Sequence, residues 1–539
     1  MKTLVIILMM FAGVVGKSIC QQSQIDTSKE ALPPLELPEI TIVGKKAITL
    51  PFARKGEKYD VTVYQAMPPD SSLIGERQDI SFLPASIPDY KERRKQWHLS
   101  FDGYAGSIGS AGLHSYITYD NETWKFDGRA GLSGMKGHVY NADASGGMIG
   151  VDAGTLLKTD NNILKTLVVS LGTQFSRESY GMFGIPAPSI NRARNTWKTS
   201  VNVHSLDRLD NVLDVGFQIS SLSLTDRAAS TDSNVTSLAP GISASFMKSI
   251  KNVDVTAAIS YMSSSVDYSS HSQNPSLFLF NTYAQWKLNN NWTVSAGGLI
   301  GNGSGNTTLV SPVANARWSV SSRSSWEFWL RPQINLVTYD ENISQNPYLI
   351  REMLLQPERA PLNIGTTYSV QMNSLMMDVS ASFTQFSDKR IVVADSGIIH
   401  LEYVKANQIK FEFNGTMNLM SNMNMNVHAV VQPSFEDGRN VQLPMVPLVK
   451  FHARSEYTFG MPLTAWASLE YSSRQHADRQ GLRELTVPFI LNSGVSSTIL
   501  REIILSFEVS NLLNTGYEWW SGYPAPGREF RLQARMNIL

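Results

Sequence analysis

From Trp97 onward, apolar and polar side chains alternate every second residue, in segments long enough to cross a bilayer. Trp97, Leu99, Phe101 and Gly103 fall on one side of the first segment, with His98, Ser100, Asp102 and Tyr104 on the other. Trp124, Phe126, Gly128, Ala130 and Leu132 alternate with Lys125, Asp127, Arg129 and Gly131. Val449, Phe451, Ala453, Ser455, Tyr457 and Phe459 alternate with Lys450, His452, Arg454, Glu456 and Thr458. The last segment sets Phe530, Leu532, Ala534, Met536 and Ile538 against Glu529, Arg531, Gln533, Arg535 and Asn537. Successive side chains of a strand point to opposite faces, so each segment carries one greasy and one charged face.

A soluble sandwich alternates in the same way. Segment length separates the two, because a tilted membrane strand needs about 9–11 residues. Candidate strands fall near 97–106, 113–119, 124–132, 148–157, 166–174, 197–203, 213–223, 241–248, 253–262, 277–288 and 292–300. They continue near 313–320, 326–336, 363–370, 375–385, 399–419 (long and bent), 423–432, 449–459, 463–472, 485–497, 501–511 and 528–538. The total is about 22, an even number, as in bacterial single-chain barrels.

Composition removes the competing classes. Charged residues make up 17% of the 539, where a soluble domain carries about 25%. Hydrophobic residues reach 42%, enough to bury a core, so disorder along the whole chain is excluded. One cysteine excludes a disulfide scaffold. Zero net charge gives no support to nucleic-acid binding. Beyond the N-terminus no apolar run reaches the length of a spanning helix. The expected fold is all-β: a transmembrane, antiparallel, up-and-down β-barrel over 97–539, preceded by a short irregular segment.

Lys2, the apolar stretch Leu4 to Val15, and the small residues before Cys20 read as a secretory signal over 1–20. Ile19 precedes Cys20, where a lipoprotein signal places a small residue, so cleavage rather than lipidation is expected there. The chain is therefore expected to be exported to the bacterial outer membrane. Residues 21–96 hold eight prolines and end on Lys91-Glu92-Arg93-Arg94-Lys95. Proline fixes φ and removes a donor, so this stretch reads as an irregular periplasmic or lumenal segment.

Connection lengths give a second line of argument. Asn289-Asn290-Asn291, Ser421-Asn422 and Gly460-Met461-Pro462 are short. The connections 175–196, 224–240, 263–276, 301–312, 337–362, 433–448, 473–484 and 512–527 are long. Long outer loops and short periplasmic turns are the barrel arrangement. Two places fit less well: 107–112 is a short outer loop, and 386–398 merges two candidate strands to keep parity. Closure itself is a physical need, since an open sheet edge cannot be satisfied in hydrocarbon.

Three C-terminal stretches resemble the barrel of TonB-dependent outer-membrane receptors. Leu355-Gln356-Pro357-Glu358-Arg359 followed by Gly365 and Tyr368 is similar to that family's L-x-P-E-R loop. Leu443-Pro444-Met445-Val446-Pro447 resembles its L-P-x-[IV]-P loop. Val509 to Tyr517, then Gly522 to Arg528, resembles its C-terminal N-L-[FL]-N-x-x-Y … G-Y-P-x-P-G-R ending. The family carries an N-terminal plug of about 130–150 residues, whereas 76 residues lie between Cys20 and Trp97, so a full plug does not fit. Leu37, Pro38, Glu39, Ile40, Thr41, Ile42 and Val43 look like the stretch that carries the family's energy-coupling box. The resemblance implies that this stretch adds as a strand to a TonB-like periplasmic partner. Family barrels usually end in an aromatic residue, and this chain ends in Leu539.

No metal spacing, cofactor motif or catalytic constellation is legible, so no cofactor and no enzyme activity are expected. Gly301 to Asn306 superficially resembles a phosphate loop but lacks the following Lys-Ser/Thr, and reads as a flexible outer loop. The inward charges Lys125, Asp127, Arg129, Lys450, His452, Arg454, Glu456, Glu529, Arg531 and Arg535 mix both signs and read as a solvated lumen wall. Candidate ligand or partner contacts are Tyr180, Phe183, Arg192 and Arg194, with Pro186 and Pro188, in one outer loop. Tyr517, Trp519, Trp520 and Tyr523 form a second aromatic group, read first as interfacial girdle and second as a ligand platform. Two functions compete: a transporter or receptor for a bulky ligand, and a plugless structural or partner-binding subunit of an outer-membrane complex. An open lumen of this width leaks, so residues 21–96 or another protein should block it.

Overall fold

The computed structural model describes residues 96–538 apart from 122, 160–165, 186–188, 206–210, 229–231, 306, 396, 486–488 and 501. The coupling-segment candidates Leu37 to Val43 lie outside the described residues. Twenty-two antiparallel strands make a closed barrel. The first strand, Gln96–Gly106, pairs with the second, Ala111–Asp120, and also with the last, Glu529–Ile538. In that seam Leu99 faces Ile538 and Gly106 faces Arg531, so the ladder closes with no free edge.

Each expected strand has its counterpart in the wall. The outward row is greasy and uncovered by protein: Trp97, Leu113, Leu132, Ile149, Leu171 and Phe175 are all exposed. For a closed barrel this is the lipid-facing surface. At the short-turn rim, outward aromatics pair: Trp292 stacks on Trp318, and Trp97 with Tyr119 and Trp326 with Tyr368 meet at a tilt. These rings are the girdle expected at a membrane interface.

The wall differs from the expectation chiefly at the long-loop end. Strands Ala144–Lys158, Thr166–Gly181, Asn191–Ser205, Asn211–Arg227 and Asp232–Ile250 run 15 to 19 residues, longer than the about 9–11 that a tilted membrane strand needs. Most of the expected connections 175–196 and 224–240 is therefore strand, and Gly301, Asn302 and Gly303 also lie in a strand, Trp292–Gly303. The stretch 386–398, where two candidate strands are merged, is the top of a hairpin, Leu375–Asp395 with Ile398–Met420. Gly397 makes its turn at φ +84°, where a Cβ would be strained. A bulge between Phe386 and Lys389 lies not in the strand expected to bend but in its partner, opposite Ala406 and Val404.

The expected strand 326–336 is two elements. Ser324–Leu330 stays in the wall; Pro332 then interrupts the ladder, and Gln333–Asn335 pairs with Glu358–Ala360 instead. Pro361 precedes re-entry into the wall at Leu362–Gln371. Between these paired arms lies the one α-helix among the described residues, Tyr339–Gln345.

Candidate functional site

The connection 331–361 does not project into solvent. Thr338 starts its helix with a capping box: the Thr338 hydroxyl accepts from the Glu341 amide at 3.2 Å, and the Glu341 carboxylate accepts from the Thr338 amide at 2.8 Å. Three cations of one strand, Asn191–Ser205, and a fourth on Leu375–Asp395 hold the helix and the chain after it. Arg192 makes a bidentate pair with Asp226 at 2.6 and 2.8 Å. The same guanidinium donates to the carbonyls of Pro347 at 2.8 Å and Leu349 at 2.7 Å. Arg194 and Lys198 both reach Asp340, at 2.9 and 2.7 Å. From the other side, Arg390 donates to Asn342 and, at 2.7 Å, to Gln345. Arg192 and Arg390 stand on strands Asn191–Ser205 and Leu375–Asp395, far apart around the ring, so the segment crosses the mouth.

Apolar packing completes the cover. Tyr339, Ile343 and Leu349 are fully buried and join Leu222, Leu224 and Val266 of the wall and its loops. Ile399 receives Leu349 through a parallel bridge, and the Ile350 amide donates to the Ile399 carbonyl at 2.7 Å. Tyr348 stacks on Tyr523, ring centroids 3.7 Å apart. Burial holds the Tyr339 and Tyr348 phenols well above the ordinary tyrosine range, and pushes Tyr268 up to about 12. The cover is thus built like a protein interior.

The sequence candidates separate clearly. Tyr180 donates to the Pro347 carbonyl at 3.1 Å. Phe183 packs edge-on against Tyr348 and Tyr523. Arg192, Arg194 and Tyr523 meet the same cover, and Trp520 lies buried in its apolar cluster with Trp519 against it. The girdle reading of Trp520 and Tyr523 does not hold, because they are 1% and 3% exposed inside the loops. Tyr517 packs on Trp519. Pro186 and Pro188 lie outside the described residues. Asp226, Asp340, Arg390 and Tyr348 escaped the sequence reading. The signal for the helix was present as Thr338-x-x-Glu341, within a stretch expected to be loop.

The resembling motifs acquire physical roles. Glu358 and Arg359 anchor the returning arm: Glu358 accepts from the Arg390 amide at 2.9 Å, and Arg359 pairs with Asp388 at 3.1 Å. Met445 sits at φ +56° and donates from its amide to the His476 carbonyl at 2.8 Å. Asn511 and Asn514 take left-handed turns, a conformation asparagine tolerates, and Asn514 accepts from the Arg528 amide at 2.8 Å.

Below the cover the lumen wall is charged and internally paired. Lys125 meets Asp127 at 3.1 Å, Arg129 meets Asp152 at 3.5 Å, and Lys410 meets Glu412 at 2.6 Å. At the seam Arg535 reaches Asp102 at 3.0 Å. Among the described residues no group of His, Cys, Asp and Glu could hold a metal ion.

No family model and no curated relative matches the sequence. Solved structures do. The chain is similar to the FrpB iron transporter from Neisseria meningitidis (F3-3 variant), with TM-score 0.66 and 11% identity over 83% of this chain and 82% of that one. It is similar to the copper transporter OprC, with TM-score 0.65 and 10% identity over the same shares of both chains. A third likeness is the ferric-catecholate import receptor Fiu from E. coli K12 in its closed form, with TM-score 0.60 and 12% identity, again over 83% and 82%. The closed ladder of 22 strands and these likenesses together give this chain the barrel fold of the TonB-dependent outer-membrane receptors.

Proposed function

We propose that the protein is an outer-membrane transporter or receptor for a bulky polar ligand, with its outer mouth shut by the connection 331–361. One observation carries this reading: a segment of the wall's own chain crosses the mouth and is tied down by cations from distant strands. The fold supports it, since the similar structures are named as transporters and an import receptor. A lumen lined by paired charges of both signs suits a hydrated solute without strong ion selectivity. Coupling is part of the proposal: Leu37 to Val43 would join a TonB-like protein as an added strand. Tyr180, Phe183, Arg192, Arg194, Tyr517, Trp519, Trp520 and Tyr523 would then act on the ligand chiefly through the cover they hold or adjoin.

Planar-bilayer recording tests the reading. The full chain is expected to conduct little, and a variant with 338–356 replaced by a short Gly-Ser linker is expected to open a large steady pore. An equally silent linker variant would show that something else closes the barrel. Co-purification with a TonB-like protein, lost in Ile40→Pro, tests the coupling separately.

A further inference from the structure

The outer wall carries an open groove of about 680 Å³ lined by Leu113, Leu132, Ser145, Gly147, Arg177 and Ser179. The register sets four of these in one row across neighbouring strands: Leu113 opposite Leu132, Leu132 opposite Gly147, and Gly147 opposite Arg177. Leu113 and Leu132 are among the more exposed leucines of the wall and form the ridges. Gly147 forms the floor; a Cβ there would lie 3.0 Å from Leu132 Cδ2. One row higher, Ser145 faces Ser179.

Arg177 points out of the barrel, on the face shared by Leu171 and Phe175. The intervening side chains turn inward: Gln174 accepts from Arg129, Glu178 pairs with Arg194, and Tyr180 meets Pro347. Among the described residues no ion pair or hydrogen bond engages the Arg177 guanidinium. Its height is telling. From Leu167 to Arg177 is ten residues, or about 25 Å up the barrel at ~3.3 Å per residue and ~40° tilt. The apolar band of such barrels is also about 25 Å tall, so the guanidinium sits at its upper edge.

A cation at that level, above a greasy trough, complements an anionic headgroup above an acyl chain. We propose that the groove holds a phosphoryl-bearing membrane lipid. Its acyl chain lies over Gly147 between Leu113 and Leu132, its phosphoryl oxygens meet the Arg177 fork, and the Ser145 and Ser179 hydroxyls stand at headgroup level. The planar guanidinium suits bidentate contact with phosphoryl oxygens.

The test uses the full-length barrel, purified in detergent and delipidated. It is offered equal amounts of dioleoyl phosphatidic acid and dioleoylglycerol, and retained lipid is read by native mass spectrometry. Wild type is expected to retain phosphatidic acid over diacylglycerol. Arg177→Gln should lower that retention roughly tenfold, and Gly147→Leu, which fills the trough, should lower retention of both lipids. Added inorganic phosphate should not displace the lipid, because the acyl contact is lost. Heat-modifiable mobility on gels confirms folding of each variant. Equal retention of the two lipids by wild type, or unchanged retention in both variants, overturns the proposal.

Discussion

Arg192 pairs with Asp226 at 2.6 and 2.8 Å while donating to the carbonyls of Pro347 and Leu349, so one guanidinium joins the wall to the segment across the mouth. The side chain is almost wholly buried. Removing one partner of a buried pair costs about 3–5 kcal/mol, because the other charge is left behind. Arg192→Ala should therefore loosen the segment while the membrane ladder stays intact. Protease cutting within 337–357 is expected to rise, with unchanged heat-modifiability; equal cutting in both proteins would refute the role.

Thr338 offers a milder lesion. Loss of an N-cap costs about 1 kcal/mol. In Thr338→Ala, amide exchange in Tyr339–Gln345 should quicken roughly fivefold, while the strands exchange as before. Thr338→Ser, which keeps the acceptor, should restore protection.

A pH response is expected at the rim. A hydrogen bond from Arg479 holds the Glu436 carboxyl below its ordinary 4.5, and burial opposes this only in part. Since the folded value is depressed, the stabilisation is complete above about 4.5 and is lost as pH falls through the folded value. Cutting within 473–484 should stay constant from pH 7 to about 5 and rise below the ordinary glutamate range. Arg479→Gln should abolish that step.

The seam should be sensitive too. Asp102 accepts from Arg535 at 3.0 Å and from Gln533 at 2.8 Å across the join of first and last strands. Asp102→Ala forfeits charged hydrogen bonds worth about 1.5–3 kcal/mol each. Thermal unfolding in detergent should start several degrees earlier than in wild type. Asp378→Ala, on strand Leu375–Asp395, serves as a comparison away from the join.

The membrane part was readable in the sequence because lipid and water enforce opposite chemistry on alternate residues. Trp97, Leu99 and Phe101 could be placed outward for that reason alone. Above the membrane the rule lapses. Ile391, Val392, Val393 and Ala394 are all buried on a strand with protein on both sides, so a period of two disappears and the strand reads as an irregular connection. Arg192 and Asp226 were illegible as partners for another reason: their register links neighbouring strands, but their third partner, Leu349, comes from a connection 157 residues away. The helix carried a local signal in Thr338 and Glu341, masked by its position between strands.

The join of Gln96–Gly106 with Glu529–Ile538 fixes when the molecule can be finished. Until Glu529–Ile538 is in place, the rest of the sheet carries two raw borders with unsatisfied amides and carbonyls. A nascent chain therefore has no stable home in lipid. Closure in the membrane must wait for that strand, and something must shield those borders during the crossing.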